Sequence, residues 1–380
     1  MPYWNRRVGY FAGWILAGIL LQLNASFAMN DLQDLLPATV SSTPSSTLSP
    51  AVEGALPLVY VPNRASNDVS VIDPATLQVI DRFKVGINPQ HVVPSWDLRT
   101  LWVNNNAEGR TDGSVTPIDP RTGKPGTAIA VDDPYNMYFT PDGRSAIIVA
   151  EARRRLDFRD PQTMRLQYSI AVPDCPGINH GDFSIDGRYA IFTCEFAGRL
   201  VKIDLADRIV VGSLQLSRGR MPQDARFSPD GKVLFVSDMR ADGVFMIDGE
   251  RFIEIGFIAT DVGAHGLQPS RDGRKLYVSN RGSHQILGPP KGPGSVSVID
   301  FVSRTIETTW RIPGGGSPDM GAVSVDGRFL WLSGRFDDEV YVINTTTGAV
   351  RAIRVGREPH GLAVWPQPGR YSLGHTGHLR

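Results

Sequence analysis

Four histidines, His91, His180, His265 and His360, recur in one local context, each entering a short apolar run. Imidazoles so placed can ligate a metal, move protons or hydrogen-bond an anion. Asp224 and Asp319 occupy equivalent places in other copies of the same phrase, and Arg64, Arg281, Arg335, Glu151 and Glu195 recur at a second one. Histidine, carboxylate and guanidinium at repeating positions make sense if the repeats bring them to one concave mouth, where convergent polar groups bind ligands.

The elements that would do this are short strands. Leu58–Val85 reads LVYVPNRASNDVSVIDPATLQVIDRFKV, with β-branched and aromatic runs broken by Pro, Asn, Asp and Ser. Its phrase returns at Tyr277–Asp300 with an insertion in the turn. An apolar-Asp corner appears at Asp73, Asp119, Asp160, Asp204, Asp248 and Asp300, with Asn344 in the seventh place. Asp-Gly turns precede Arg144, Arg188, Lys232, Arg274 and Arg328, and Trp96-Asp97-Leu98-Arg99 is a weaker version. Copies recur about every 41–54 residues, the length of a four-stranded propeller blade. The pattern predicts an all-β, seven-bladed β-propeller. Because the first copy lacks its opening strand, the segment PHGLAV at 359–364 is expected to complete blade one and close the ring.

In that architecture the innermost strands line a channel. Aligning the copies puts Gln90, Tyr135, Asn179, Gln223, His265, Asp319 and His360 at the entry, followed by His91, Asn136, His180, Asp224, Gly266, Met320 and Gly361. The loop after the second strand adds Arg64, Asn106, Glu151, Glu195, Met239, Arg281 and Arg335. His265, Asp319 and His360 form the best arc for a metal, since they come from adjoining blades. Arg64, Arg281 and Arg335 come from blades one, six and seven and, with His265 and His360, make a positive arc suited to a carboxylate or phosphate. Glu151 and Glu195 lie opposite. The competing explanation is a water-filled channel with polar walls, each Arg paired with an acid such as Asp68 or Asp338.

The phrases YVPNRASNDVSVID, YVSNRG…GSVSVID and PHGLAV resemble the YVTN-repeat, or YncE-like, β-propeller family, over about residues 57–370. The resemblance implies the fold and says little about function. Relatives include the haem-binding propeller of dissimilatory nitrite reductase, the copper propeller of nitrous oxide reductase and propeller lactonases. The histidines here fall short of the full set of the nitrous oxide reductase cluster, and there is no CxxCH haem-attachment motif.

Lys plus Arg and Asp plus Glu both number 39, so a basic nucleic-acid or anionic-membrane surface is not expected. Residues 1–28 read as an export signal, with Arg6 and Arg7, an apolar run at Val8–Leu23 and Ser-Phe-Ala at the cleavage site; a retained anchor is the alternative. Residues 29–56 read as an extended, mobile Ser/Thr/Pro-rich linker and 57–380 as the propeller. Cys175 and Cys194 are placed on one face of blade four, as a disulfide in an oxidising compartment or as free thiols. The insertion Gly282–Gly294, carrying His284, reads as a partner-contacting loop or a disordered turn, and His375 and His378 are expected on opposite faces of a strand.

GxSxG, Walker, GxGxxG and HExxH motifs are absent. The expected function is therefore binding of a small molecule or protein partner at the mouth by a monomeric, exported, non-catalytic propeller. Haem or copper binding in a redox role, lactone hydrolysis, and a purely structural envelope or adhesion protein are the alternatives.

Overall fold

The corner aspartates explain the repeat. Asp73, Asp160, Asp204, Asp248 and Asp300 end third strands and accept hydrogen bonds from groups two and three residues on, which fixes the turn into the outer strand. Asn344 does the same for Thr346 and Thr347. At the other end of blades two to seven, Ser or Thr and Asp close the turn between inner and second strand, as Ser228 Oγ donates to Asp230 and Asp230 accepts from Lys232 N. That turn needs a left-handed residue, Gly231 at φ +68° in blade five. In blade two Leu98 takes the position at φ +63°, which is why its sequence signal is weak.

In this computed structural model, which describes residues 47–219, 221–375 and 379–380, these turns link strands into seven sheets. Each sheet is one blade. Blade one runs Ala363–Trp365, Leu58–Asn63, Asp68–Asp73 and Gln78–Lys84 from the inside out. The pairs Leu58 with Trp365, Val59 with Val364 and Tyr60 with Ala363 close the ring as expected. In blade two the outer strand is split into Lys124–Pro125 and Ile129–Ala130. Apolar side chains fill the gap between every pair of neighbouring blades, for example Tyr138, Phe158, Phe183 and Phe192 between blades three and four. The core is thus a ring of interfaces, and the polar inner edge is left to the channel.

Two segments outside the repeat belong to the fold. Residues 47–56, expected within the linker, are ordered: Ser49 caps a 3-10 turn at Pro50–Val52, Val52 is buried between blades one and two, and Leu48 pairs with Gly369. The apolar Val52 side chain outweighs the Ser/Thr/Pro composition around it. After Trp365 the chain turns back under the ring. Ser372 N donates to Trp96 O, Phe139 N to Leu373 O and His375 N to Met137 O, carrying the tail along the inner strands of blades two and three. Residues 1–28 of the expected export signal, linker residues 29–46 and His378 lie outside the described residues. No helix among the described residues is long and apolar enough to cross a membrane.

Candidate functional site

Each inner strand must expose side chains to the channel while keeping its backbone paired. The register between inner and second strands shifts in blades four, five, six and seven at the mouth residues. Hydroxyls fill the gap. Thr193 Oγ1 accepts from His180 N and donates to Gln223 O, and Ser279 Oγ accepts from Gly266 N and donates to Asp319 O. Ser237 and Ser333 donate to the carbonyls of His265 and His360. Every one of these hydroxyls therefore fixes the next blade's entry residue.

At the mouth, Asp319 gathers the expected arc. Its carboxylate lies 2.8 Å from His265 Nδ1 and 2.9 Å from His360 Nδ1, and Arg281 grips both of its oxygens. The His265 contact is close but lacks hydrogen-bond alignment. Burial opposes the Asp319 charge, yet Arg281, His265 and His360 outweigh it and hold the carboxyl well below its usual range. Burial keeps both histidines neutral, with Arg281 pushing His265 further down. The arc thus comes together as a charge-compensated cluster with its carboxylate already engaged by a guanidinium.

The three arginines differ. Arg64 pairs with Glu108 and Glu358, whereas Asp68 pairs with Arg82 and Lys84, and Asp338 with Arg354. Arg281 pairs with Asp319. Arg335, only 4% exposed, has no hydrogen-bond partner at Nε or Nη1 and no ion pair among the described residues, yet it lines the mouth. Burial, reinforced by Arg281 and Arg64 and opposed by Asp319, lowers its pKa to about 10, so it stays charged at neutral pH.

Across the mouth, burial raises both Glu151 and Glu195, Glu151 well above the carboxylate range with Glu195 and Asp133 adding to it. Asn179 Nδ2 donates to Glu195 at 2.9 Å. The cavity between these groups measures about 70 Å³ and is rimmed by Phe196 and by Ile286 of the blade-six insertion. That insertion is folded against its neighbours, with His284 on Asp242 and Lys291 on Glu339. A disulfide joins Cys175, in the loop entering blade four, to Cys194, which ends that blade's second strand beside Glu195. Pockets for drug-sized ligands run about 300–1,000 Å³, so the mouth suits a ligand of a few heavy atoms, and a tetrapyrrole does not fit it as folded.

One step deeper lies a second group. His91, His180 and Asp224 reach the channel as expected, and His375 joins them from the tail. Sequence reasoning missed His375 because no repeat covers it. The available signal was the apolar residues around it, Tyr371, Leu373 and Leu379, all of which are buried. Burial, the largest cause, holds His91, His180 and His375 well below the ordinary histidine pKa; neighbouring basic groups add to this, while Asp319 opposes it at His91 and Asp224 at His180. Asp224 is fixed by Ala225 N on one oxygen and Leu267 N on the other, both at 2.9 Å.

A profile of the YNCE-like beta-propeller family matches residues 22–368. The uncharacterised protein YncE of Salmonella typhi is 23% identical over 346 residues, covering 84% of this chain and 90% of its own. The dihydro-heme d1 dehydrogenase NirN, solved in complex with DHE, superposes with a TM-score of 0.61 at 18% identity, over 81% of this chain and 75% of that one. A putative 6-phosphogluconolactonase from Bacteroides uniformis gives 0.62 at 17% identity, over 80% and 98%. At such identities the structural likeness carries the fold alone. With seven four-stranded blades and a family match spanning most of its length, the chain belongs to the YNCE-like beta-propeller family.

Proposed function

We propose that this propeller is an exported binding protein that holds a small oxyanion, a carboxylate or phosphate group, at its channel mouth without catalysis of its own. The observation that carries the reading is Arg335. A buried guanidinium with unpartnered nitrogens facing a cavity is costly unless an anion completes it. The remaining charges at the mouth are balanced: Arg281 by Asp319, Arg64 by Glu108 and Glu358. With Glu151 and Glu195 shifted toward their protonated forms, the far wall offers hydrogen-bond donors and little repulsion. The disulfide supports an oxidising compartment.

Calorimetric titration with formate, acetate, lactate, sulfate and phosphate tests this. One equivalent of at least one anion should bind, and Arg335→Gln should weaken it roughly 10–100-fold, the loss of a charge-assisted hydrogen bond. Heats absent across the whole panel, or equal affinity in the variant, would overturn the reading.

A further inference from the structure

The deeper group has metal-site geometry. His180 Nδ1 and His375 Nε2 are 3.3 Å apart, His375 Nε2 and Asp224 Oδ1 3.4 Å, and His180 Nδ1 and Asp224 Oδ1 3.9 Å. Ligands held about 2.0–2.1 Å from a tetrahedral ion stand about 3.3–3.4 Å from one another, so two of the three edges already match. All three residues are fully buried. We propose that His180, Asp224 and His375 bind one divalent first-row transition-metal ion, which pins the C-terminal tail across the channel.

A second observation points the same way. His91 is fully buried with neither ring nitrogen hydrogen-bonded, and its ring centroid lies 5.1 Å from His180 and 5.3 Å from His375. Such an imidazole has lost water and gained nothing, unless it faces an ion or a ligand bound to that ion. Three ligands leave a fourth coordination position open, and His91 is an imidazole beside two of those ligands that has a nitrogen to offer it.

The outer contacts suit ligation. His180 Nε2 lies 3.4 Å from Tyr135 Oη and His375 Nδ1 3.2 Å from the Asn136 side-chain amide, so each ring is oriented through its other nitrogen. Backbone N–H groups orient Asp224. Two imidazoles and one carboxylate form a donor set taken by iron(II) and zinc. Gly374, at φ +94°, lets the tail approach this closely, since a Cβ there would sit 2.4 Å from Tyr138 Cα.

Because the ligands are buried, the test supplies metal during folding. Untagged full-length protein is unfolded in guanidinium with a chelator, then refolded with Co²⁺ for its visible absorption or with Zn²⁺ against a chromophoric chelator. One ion per chain is expected, with Co²⁺ giving the intense bands of a low-coordinate site. His375→Ala and the near-isosteric Asp224→Asn should each weaken binding on the order of 100-fold, by analogy with the 10–100-fold cost of losing an outer partner. Circular dichroism of the metal-free variants reports that the ring still forms. His284→Ala should bind as the parent does, since His284 pairs with Asp242 in the blade-six insertion. No stoichiometric ion, parental affinity in both ligand variants, or loss in the His284→Ala control instead would overturn the proposal.

Discussion

Two arginines in the same mouth should respond to the same substitution with opposite sign. Burial lowers the Arg335 pKa from the ordinary guanidinium value to about 10. At about 1.4 kcal/mol per pH unit, the charged form is disfavoured in the folded protein by about 3 kcal/mol. For a base with a depressed folded pKa that penalty is present in full at neutral pH and is relieved only as pH rises from about 10 towards the ordinary guanidinium range. Arg335→Met removes the charge and keeps most of the volume, so the ligand-free protein should gain stability. Water in the cavity already returns part of the penalty, which makes about 3 kcal/mol the ceiling.

Arg281→Met does the reverse. It leaves the Asp319 carboxylate buried against neutral histidines, and breaking one side of a buried pair costs about 3–5 kcal/mol. Urea unfolding of both variants at pH 7.5, in buffer free of small oxyanions, gives the comparison. A change of less than about 0.5 kcal/mol for Arg335→Met, the range of substitutions that touch nothing, would refute the unpaired-charge argument. So would a loss of stability, because it would mean that the guanidinium is already compensated.

Two further outcomes follow from the same groups. His91, His180, His265, His360 and His375 are kept neutral when folded, so the unfolded chain binds more protons as pH falls through 6.5 and stability drops. Asp133, raised to about 6 by burial, with Glu151 and Glu195 acts in the opposite sense by taking up protons when folded. Five histidines outnumber three carboxyls, so the urea midpoint should fall between pH 7.5 and 5.5; a flat or rising profile would contradict the burial of the imidazoles. Ser279→Ala strips partners from the buried Gly266 N and Asp319 O, at about 1–3 kcal/mol each, and should cost about 2–6 kcal/mol in the same assay, whereas the exposed Ser303→Ala should stay within about 0.5 kcal/mol.

The blades were legible in the sequence because their signals are local. An Asp that accepts hydrogen bonds from the two or three residues after it announces a corner without reference to the rest of the chain. Counting corners also located the closing strand. The same periodicity named most residues of the mouth, since each copy places its entry residue at a fixed distance from its turn. What it left open was pairing. Arg64, Arg281 and Arg335 occupy one repeat position, but Glu358 and Glu108 reach the first, Asp319 reaches the second and no acid among the described residues pairs with the third. Those choices depend on side-chain reach across blades, where the repeat carries no information.

The floor of the channel shows the converse. His375 and His378 read as neighbours on a strand, and strand alternation would separate them. Among its described residues, however, the tail after Trp365 makes isolated bridges and passes through a left-handed Gly374, so period-two alternation does not govern His375. Its placement follows from burial instead. Tyr371 stacks on Trp96, Leu373 packs between blades three and four, and Leu379 packs between blades one and two, anchoring the tail on both sides of His375. A polar residue between apolar anchors must go where they go, and here they go under the ring. In a closed repeat fold the non-repeating segments are the ones free to reach the axis, so a histidine set among apolar anchors in such a tail is as well placed to line the channel as those at the repeat positions.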